Sequence, residues 1–172
     1  MGQYFRPINI KTMEWIKMGF WKLTEHSWIG NRDVGKVMTL LSIRNPWYKS
    51  PIAWCGDYYD EKGEINYYDK LEGKDRLSYI KPMSKSKQLK AILINHTKRE
   101  YVVYSKIRVN KWELRVNPLP ILTALGNGRG QGDYRDYQPD FDKVGIWAGD
   151  IFSVRFIIPK GYKELEVDFY EE

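Results

Sequence analysis

Cysteine and histidine are scarce in this 172-residue chain: one Cys, Cys55, and two His, His26 and His96. One cysteine excludes an internal disulfide and any cysteine-based zinc cluster. Spacings such as H-x-x-x-H are absent, so the only metal set that can be drawn, His26 with Asp57 and Asp133, is loose, and no metal site is expected. No apolar run approaches the 18 or so residues that a membrane-spanning helix needs. The opening MGQYFRPINI has no long apolar core of the secretory kind, and Arg6 stands where a myristoylation signal carries Ser or Thr. A cytoplasmic chain without a membrane span is the expectation, and whether it takes a cofactor is left open.

What the chain does have is 42% hydrophobic and 15% aromatic residues, the composition of a folded protein. Its length suits a single domain over 1–172 that buries about two-thirds of its unfolded surface. The net charge of +6 is uneven. Residues 74–115 hold twelve Lys and Arg against Asp75, Glu100 and Glu113, whereas 57–72 hold six carboxylates against Lys62 and Lys70. Tyr101, Tyr104, Lys106, Arg108, Lys111, Trp112 and Arg115 interleave aromatics with base in the manner of a nucleic-acid platform. No signature of an RNA- or DNA-binding module accompanies them, so nucleic acid is the less favoured partner and solvated lysines the preferred reading.

Along the chain, 1–12 reads as extended, and Met13 to Leu23 suits a short helix followed by a strand. Asn31 is a good N-cap for a helix in which Val34, Val37, Met38 and Leu41 form one apolar stripe. His26 and Ser27 stand just ahead of it. Pro51 to Asp60 reads as a strand, 61–75 as an acidic loop and 77–87 as an excursion around Pro82. Leu89 to Ile94 and Glu100 to Val109 read as a hairpin with His96 facing solvent in its turn. Trp112 to Val116 reads as a further strand, broken by Asn117-Pro118-Leu119-Pro120. Phe152 to Ile158 and Leu165 to Phe169 alternate like the two arms of a final hairpin. Trp54-Cys55-Gly56-Asp57 and Trp147-Ala148-Gly149-Asp150 echo one another as two strand ends, each with a buried Trp and a turning Gly-Asp. The expected fold is α+β, mainly antiparallel sheet with one or two packed helices.

The stretch most suggestive of function is Gly126-Asn127-Gly128-Arg129-Gly130-Gln131-Gly132-Asp133-Tyr134. Glycines at every second position around one arginine fail both G-x-G-x-x-G and the P-loop pattern. Successive backbone N–H groups can still form an anion nest, with Arg129 as a bidentate donor. The expected pocket therefore gathers the glycine loop (Gly128, Arg129, Gly130, Gly132), the His26 turn and the two Gly-Asp strand ends at Asp57 and Asp150, with Tyr134, Trp28 or Tyr58 to stack on a base and His26 to orient the ligand. The same region can be read as a hydrolase of phosphoester or glycosidic bonds, with His26 as general acid/base and Asp57 or Asp133 orienting it or activating water. A Cys55 nucleophile is disfavoured because Cys55 follows Trp54 on a strand expected to be buried.

EHSWIGN (25–31), WCGDYYD (54–60), NPLPILTALGNGRGQGDY (117–134) and VGIWAGD (144–150), with the opening MGQYF, resemble blocks shared in this order by a family of small proteins encoded by phages and bacteria. No activity is attached to that family. The resemblance implies an accessory role in the host cytoplasm, such as sequestering a nucleotide signal or blocking a host defence protein. The leading expectation is a binder of an anionic small molecule, a nucleotide or nucleotide signal, around the glycine loop. The alternatives are the hydrolase and a protein-interaction module that inhibits a host protein. Oligomeric state is left open.

Overall fold

The structure is a computed structural model that describes residues 3–19, 21–57, 66–68, 77, 79–126 and 140–169. Its fold is α+β: a mixed, mostly antiparallel eight-stranded sheet with four helices. β1 (Phe5–Asn9) pairs with the short β2 (Glu14–Trp15) on one side and β3 (Ser50–Gly56) on the other, both antiparallel. β7 (Ile151–Arg155) joins β3 to the hairpin β4 (Ile92–Asn95) and β5 (Glu100–Val103). β8 (Lys163–Glu164) closes that edge, and β6 (Ala124–Leu125) branches from β3.

One sheet face holds the main core. Phe5, Ile52, Trp54, Leu93, Val102, Phe152 and Val154 meet the helices there. α2 (Arg32–Leu40) supplies Val34, Val37, Met38 and Leu40, and its cap is as expected: the Asn31 side chain accepts from the N–H groups of Asp33 and Val34. α4 (Pro118–Leu122) lies fully buried against β3, capped by Asn117, with Pro118 in its first turn where a missing N–H costs nothing. α1 (Leu23–His26) and α3 (Lys85–Leu89) are single turns. The opposite sheet face carries two small clusters, Ile8, Trp15, Ala53 and Cys55 over β1–β3, and Ile92, Ile94 and Tyr101 over β4–β5.

Several local expectations are revised by tertiary pairing. Glu14 and Trp15 enter a strand rather than a helix, because Ile8 lies opposite Trp15 and Asn9 opposite Glu14 in the β1–β2 ladder. Residues 112–116 form a turn closed by isolated bridges (Val109↔Arg115, Trp28↔Val116), with Asn110 Oδ1 accepting from the N–H groups of Trp112 and Leu114. β7 and β8 are not a hairpin. β8 runs parallel to β5, so 156–162 crosses over the β4–β5 pair and tucks Tyr162 against its outer cluster. Alternation alone reads the same in either arrangement. Among the described residues no helix is long and apolar enough to cross a membrane.

Candidate functional site

The geometry of interest lies where β3 and β6 end. They pair in parallel, Trp54 opposite Ala124 and Cys55 opposite Leu125, and the Trp54 N–H donates to the Thr123 carbonyl at 2.8 Å. Gly56-Asp57 and Gly126 therefore leave the same end of the sheet side by side. In open, mostly parallel α/β sheets ligands bind in the crevice outside the strands' carboxyl ends; here the parallel pair is two residues long within a mostly antiparallel sheet. The β1 ladder continues past the strand: the Asp57 N–H donates to the Tyr4 carbonyl, and the Tyr4 N–H donates to Asp57 Oδ1, each at 3.0 Å. Asn66 Nδ2 donates to the Asp57 carbonyl at 3.3 Å. A Cβ at residue 56 would meet the amide oxygen of the buried Gln3, so a larger residue there would have to displace that side chain.

Beside this strand end lies Arg6, which faces Cys55 in the β1–β3 register. Its guanidinium sits 4.5 Å from the Trp15 ring centroid and 3.9 Å from that of Tyr68, and Nη2 donates to Tyr68 Oη at 3.0 Å. Among the described residues no carboxylate is within ion-pair distance of Arg6. Two aromatic faces stabilise the cation and fix its plane while its other N–H groups remain available to an oxyanion. Neither Arg6 nor Tyr68 was singled out by sequence. The available signal was Arg6 alternating with Ile8 and Ile10 on the outward side of a strand whose neighbours there are apolar.

His26 sits elsewhere. It has no exposed surface, and its Nε2 accepts from Trp54 Nε1 at 2.8 Å. Burial lowers its pKa to about 4, while the Lys22 backbone, the weaker influence, favours the cation without reaching hydrogen-bond geometry to Nδ1. Its partner Trp54 faces the main core, and the pleat turns Asp57, three residues on, to the opposite side. His26 and Asp57 are thus not brought together, and His26 does not reach solvent as an acid/base would need. Trp28 is half-buried against the main core, with Nε1 donating to the Thr24 carbonyl at 2.9 Å.

Asp150 also parts from Asp57. Its carbonyl accepts from the Ile52 N–H, five residues back along β3, about 17 Å at the rise of a strand. Its carboxylate accepts from Asn95 Nδ2 at 2.8 Å and Lys98 Nζ at 2.5 Å, which ties down the β4–β5 turn. His96 is half-buried rather than solvent-facing: Nε2 lies 2.7 Å from Ser153 Oγ and Nδ1 3.0 Å from Tyr162 Oη. Burial, then Lys49 and Arg155, hold its pKa below the usual value. Of the supposed nucleic-acid platform, Tyr101 and Tyr104 are buried, while Lys106 pairs with Glu164 and Arg108 with Asp168. Trp112 alone of its aromatics is exposed.

Tyr58, Gly128, Arg129, Gly130, Gly132, Asp133 and Tyr134 lie outside the described residues. The described chain resumes at Asp140, on the rim of a groove of about 480 Å³ between β5 and the 164–168 segment. That groove offers Lys106, Arg108 and Lys143 against Asp140, Glu164, Glu166 and Asp168, a balance that does not favour an anion. Cys55 is buried, and burial pushes its thiol well above its usual pKa, which disfavours a nucleophilic role. Among the described residues no three His, Cys, Asp or Glu are grouped to hold a metal.

No family model matches the chain, and neither does any curated protein or solved structure.

Proposed function

We propose that this protein binds an anionic small molecule of the nucleotide class at the end of the β3–β6 pair. The observation that carries the reading is the parallel register of Cys55 with Leu125, which sets Gly126, the first residue of the glycine-rich stretch, beside Gly56. Arg6, in contact with the rings of Trp15 and Tyr68 and without a carboxylate partner among the described residues, supports it. In this reading Arg6 and Arg129 hold the anion, the backbone of 128–132 donates hydrogen bonds, and Tyr134 or Tyr58 stacks on a base. Sequestering a nucleotide signal is the accessory role that such a site would serve. His26, enclosed on the other face of the sheet, does not support the acid/base role that the hydrolase reading gives it.

Thermal unfolding against a panel of nucleotides, cyclic nucleotides and dinucleotides tests this. A ligand at a hundred times its dissociation constant adds roughly 2.7 kcal/mol to stability. The shift should vanish in Arg6→Gln and Arg129→Ala while the ligand is recovered intact. No shift across the panel, or one that survives both substitutions, would overturn the reading, and a cleaved ligand would restore an enzyme.

A further inference from the structure

The crossover from β7 to β8 carries three consecutive large apolar residues, Phe156, Ile157 and Ile158, exposed at 50%, 73% and 52%. The crossover is anchored, since Tyr162 packs on the Ile92–Ile94–Tyr101 cluster, yet its tip stays in water. Ile43, exposed at 56%, follows Ser42, whose backbone bridges Val154 in parallel, which brings Ile43 alongside Arg155. An apolar tip held out of a fold that buries three tryptophans completely marks a contact surface.

The segments that converge near the tip are basic. Segments 34–56, 77–99 and 151–163 carry Lys and Arg and no Asp or Glu, although Lys36 pairs with Asp33 and Lys98, at the far end of β4, with Asp150. They meet through the Ser42–Val154 bridge, the β4–β7 ladder, and the bonds of Thr39 Oγ1 to the Lys81 carbonyl and of the Met83 N–H to the Gly35 carbonyl. Ile92 lies opposite Arg155, so α3, with Lys85, Lys87 and nearby Lys90, stands at the sheet end from which Phe156 emerges. Phe156, Lys81 and Lys87 line one groove of about 450 Å³ there. Among the described residues, Lys81, Lys85, Lys87, Lys90 and Arg155 have no carboxylate in ion-pair range.

We propose that this end of the sheet docks on an anionic membrane surface, with the Phe156–Ile158 tip entering the interfacial layer and these cations meeting lipid headgroups. An exposed aliphatic tip ringed by lysines has the two attractions that interfacial binding sums, apolar burial and charge against anionic lipid. Nucleic acid would satisfy the lysines but leave Ile157 and Ile158 in water, since aliphatic side chains offer no stacking plane. A second copy related by a twofold axis would set lysines against lysines. The inference is independent of the ligand site at the β3–β6 end.

Co-sedimentation of the full chain with vesicles tests it. The protein should pellet with phosphatidylcholine–phosphatidylserine vesicles, less so as salt rises, and not with phosphatidylcholine alone. Ile157→Asp with Ile158→Asp, and separately Lys85→Ala with Lys87→Ala, should each weaken partition on the order of tenfold or more. Because all four side chains are exposed, unfolding temperatures should stay put. No pelleting with the anionic vesicles, equal pelleting with both, or no loss in the variants overturns the proposal. So does a dimer that the isoleucine substitutions convert to monomer, which would assign the tip to a second copy. Binding of a single-stranded oligonucleotide that tolerates the isoleucine substitutions, without vesicle binding, would assign the lysines to nucleic acid and equally overturn it.

Discussion

The indole N–H of Trp54 donates to Nε2 of His26 across 2.8 Å, with the two rings stacked 5.8 Å apart and neither residue exposed. An Nε2 that accepts leaves the ring proton on Nδ1, so the pairing selects one neutral tautomer. This buried contact joins the turn at Leu23–His26 to the centre of the sheet.

A buried neutral imidazole makes stability depend on pH. The pKa of His26 falls from 6.5 to about 4 on folding, so between those values the unfolded chain binds the extra proton. Stability is therefore full above about pH 6.5 and is lost as pH falls toward 4, by about 3 kcal/mol if this group acts alone. Urea unfolding at pH 7 and pH 4.5 should show the drop. His26→Gln keeps an acceptor for Trp54 and should flatten the dependence; an unchanged slope would place the titration elsewhere.

Trp54→Phe removes the donor while leaving most of the apolar bulk. The cost should be about 1–3 kcal/mol, from an orphaned buried acceptor and a partial cavity. Chemical denaturation reads it directly, and a change within 0.5 kcal/mol, as on an open surface, would refute the pairing.

Gly145 adopts φ 78°, and a Cβ there would lie 2.5 Å from the Ala124 carbonyl oxygen. Ala124 is the β6 residue that pairs with Trp54. Gly145→Ala should cost about 1–3 kcal/mol through left-handed backbone and collision together. Any ligand shift at the strand end should shrink with it, since β6 roots that site. Unfolding with and without ligand separates the two effects.

Cys55 has 2% of its surface exposed, and burial raises its thiol pKa. Alkylation by iodoacetamide at pH 8 should be on the order of a hundredfold slower in the native protein than in urea, because reaction waits for local opening. Equal rates by intact mass would contradict the packing of β3.

Where a segment's structure depends on its own pattern, the sequence was sufficient. The α2 stripe and its Asn31 cap, the pairing of β4 with β5, the burial of Trp54 and Trp147, and the α+β class follow from periodicity and turn chemistry, although β5 ends at Val103 rather than Val109 and Gly56-Asp57 continues the ladder instead of turning. Partner choice between distant strands was not legible, because a strand's alternation names the side it buries and not the neighbour it meets. Tertiary structure alone set β6 parallel to β3, turned 156–162 into a crossover, carried Asp150 to Asn95 and Lys98, and enclosed His26 against Trp54. Arg6 became visible only once Trp15 and Tyr68, nine and 62 residues away, came to lie against its guanidinium. Local patterns act through neighbours on the chain, whereas these contacts are settled by the packing of the whole core, which no short window of sequence contains.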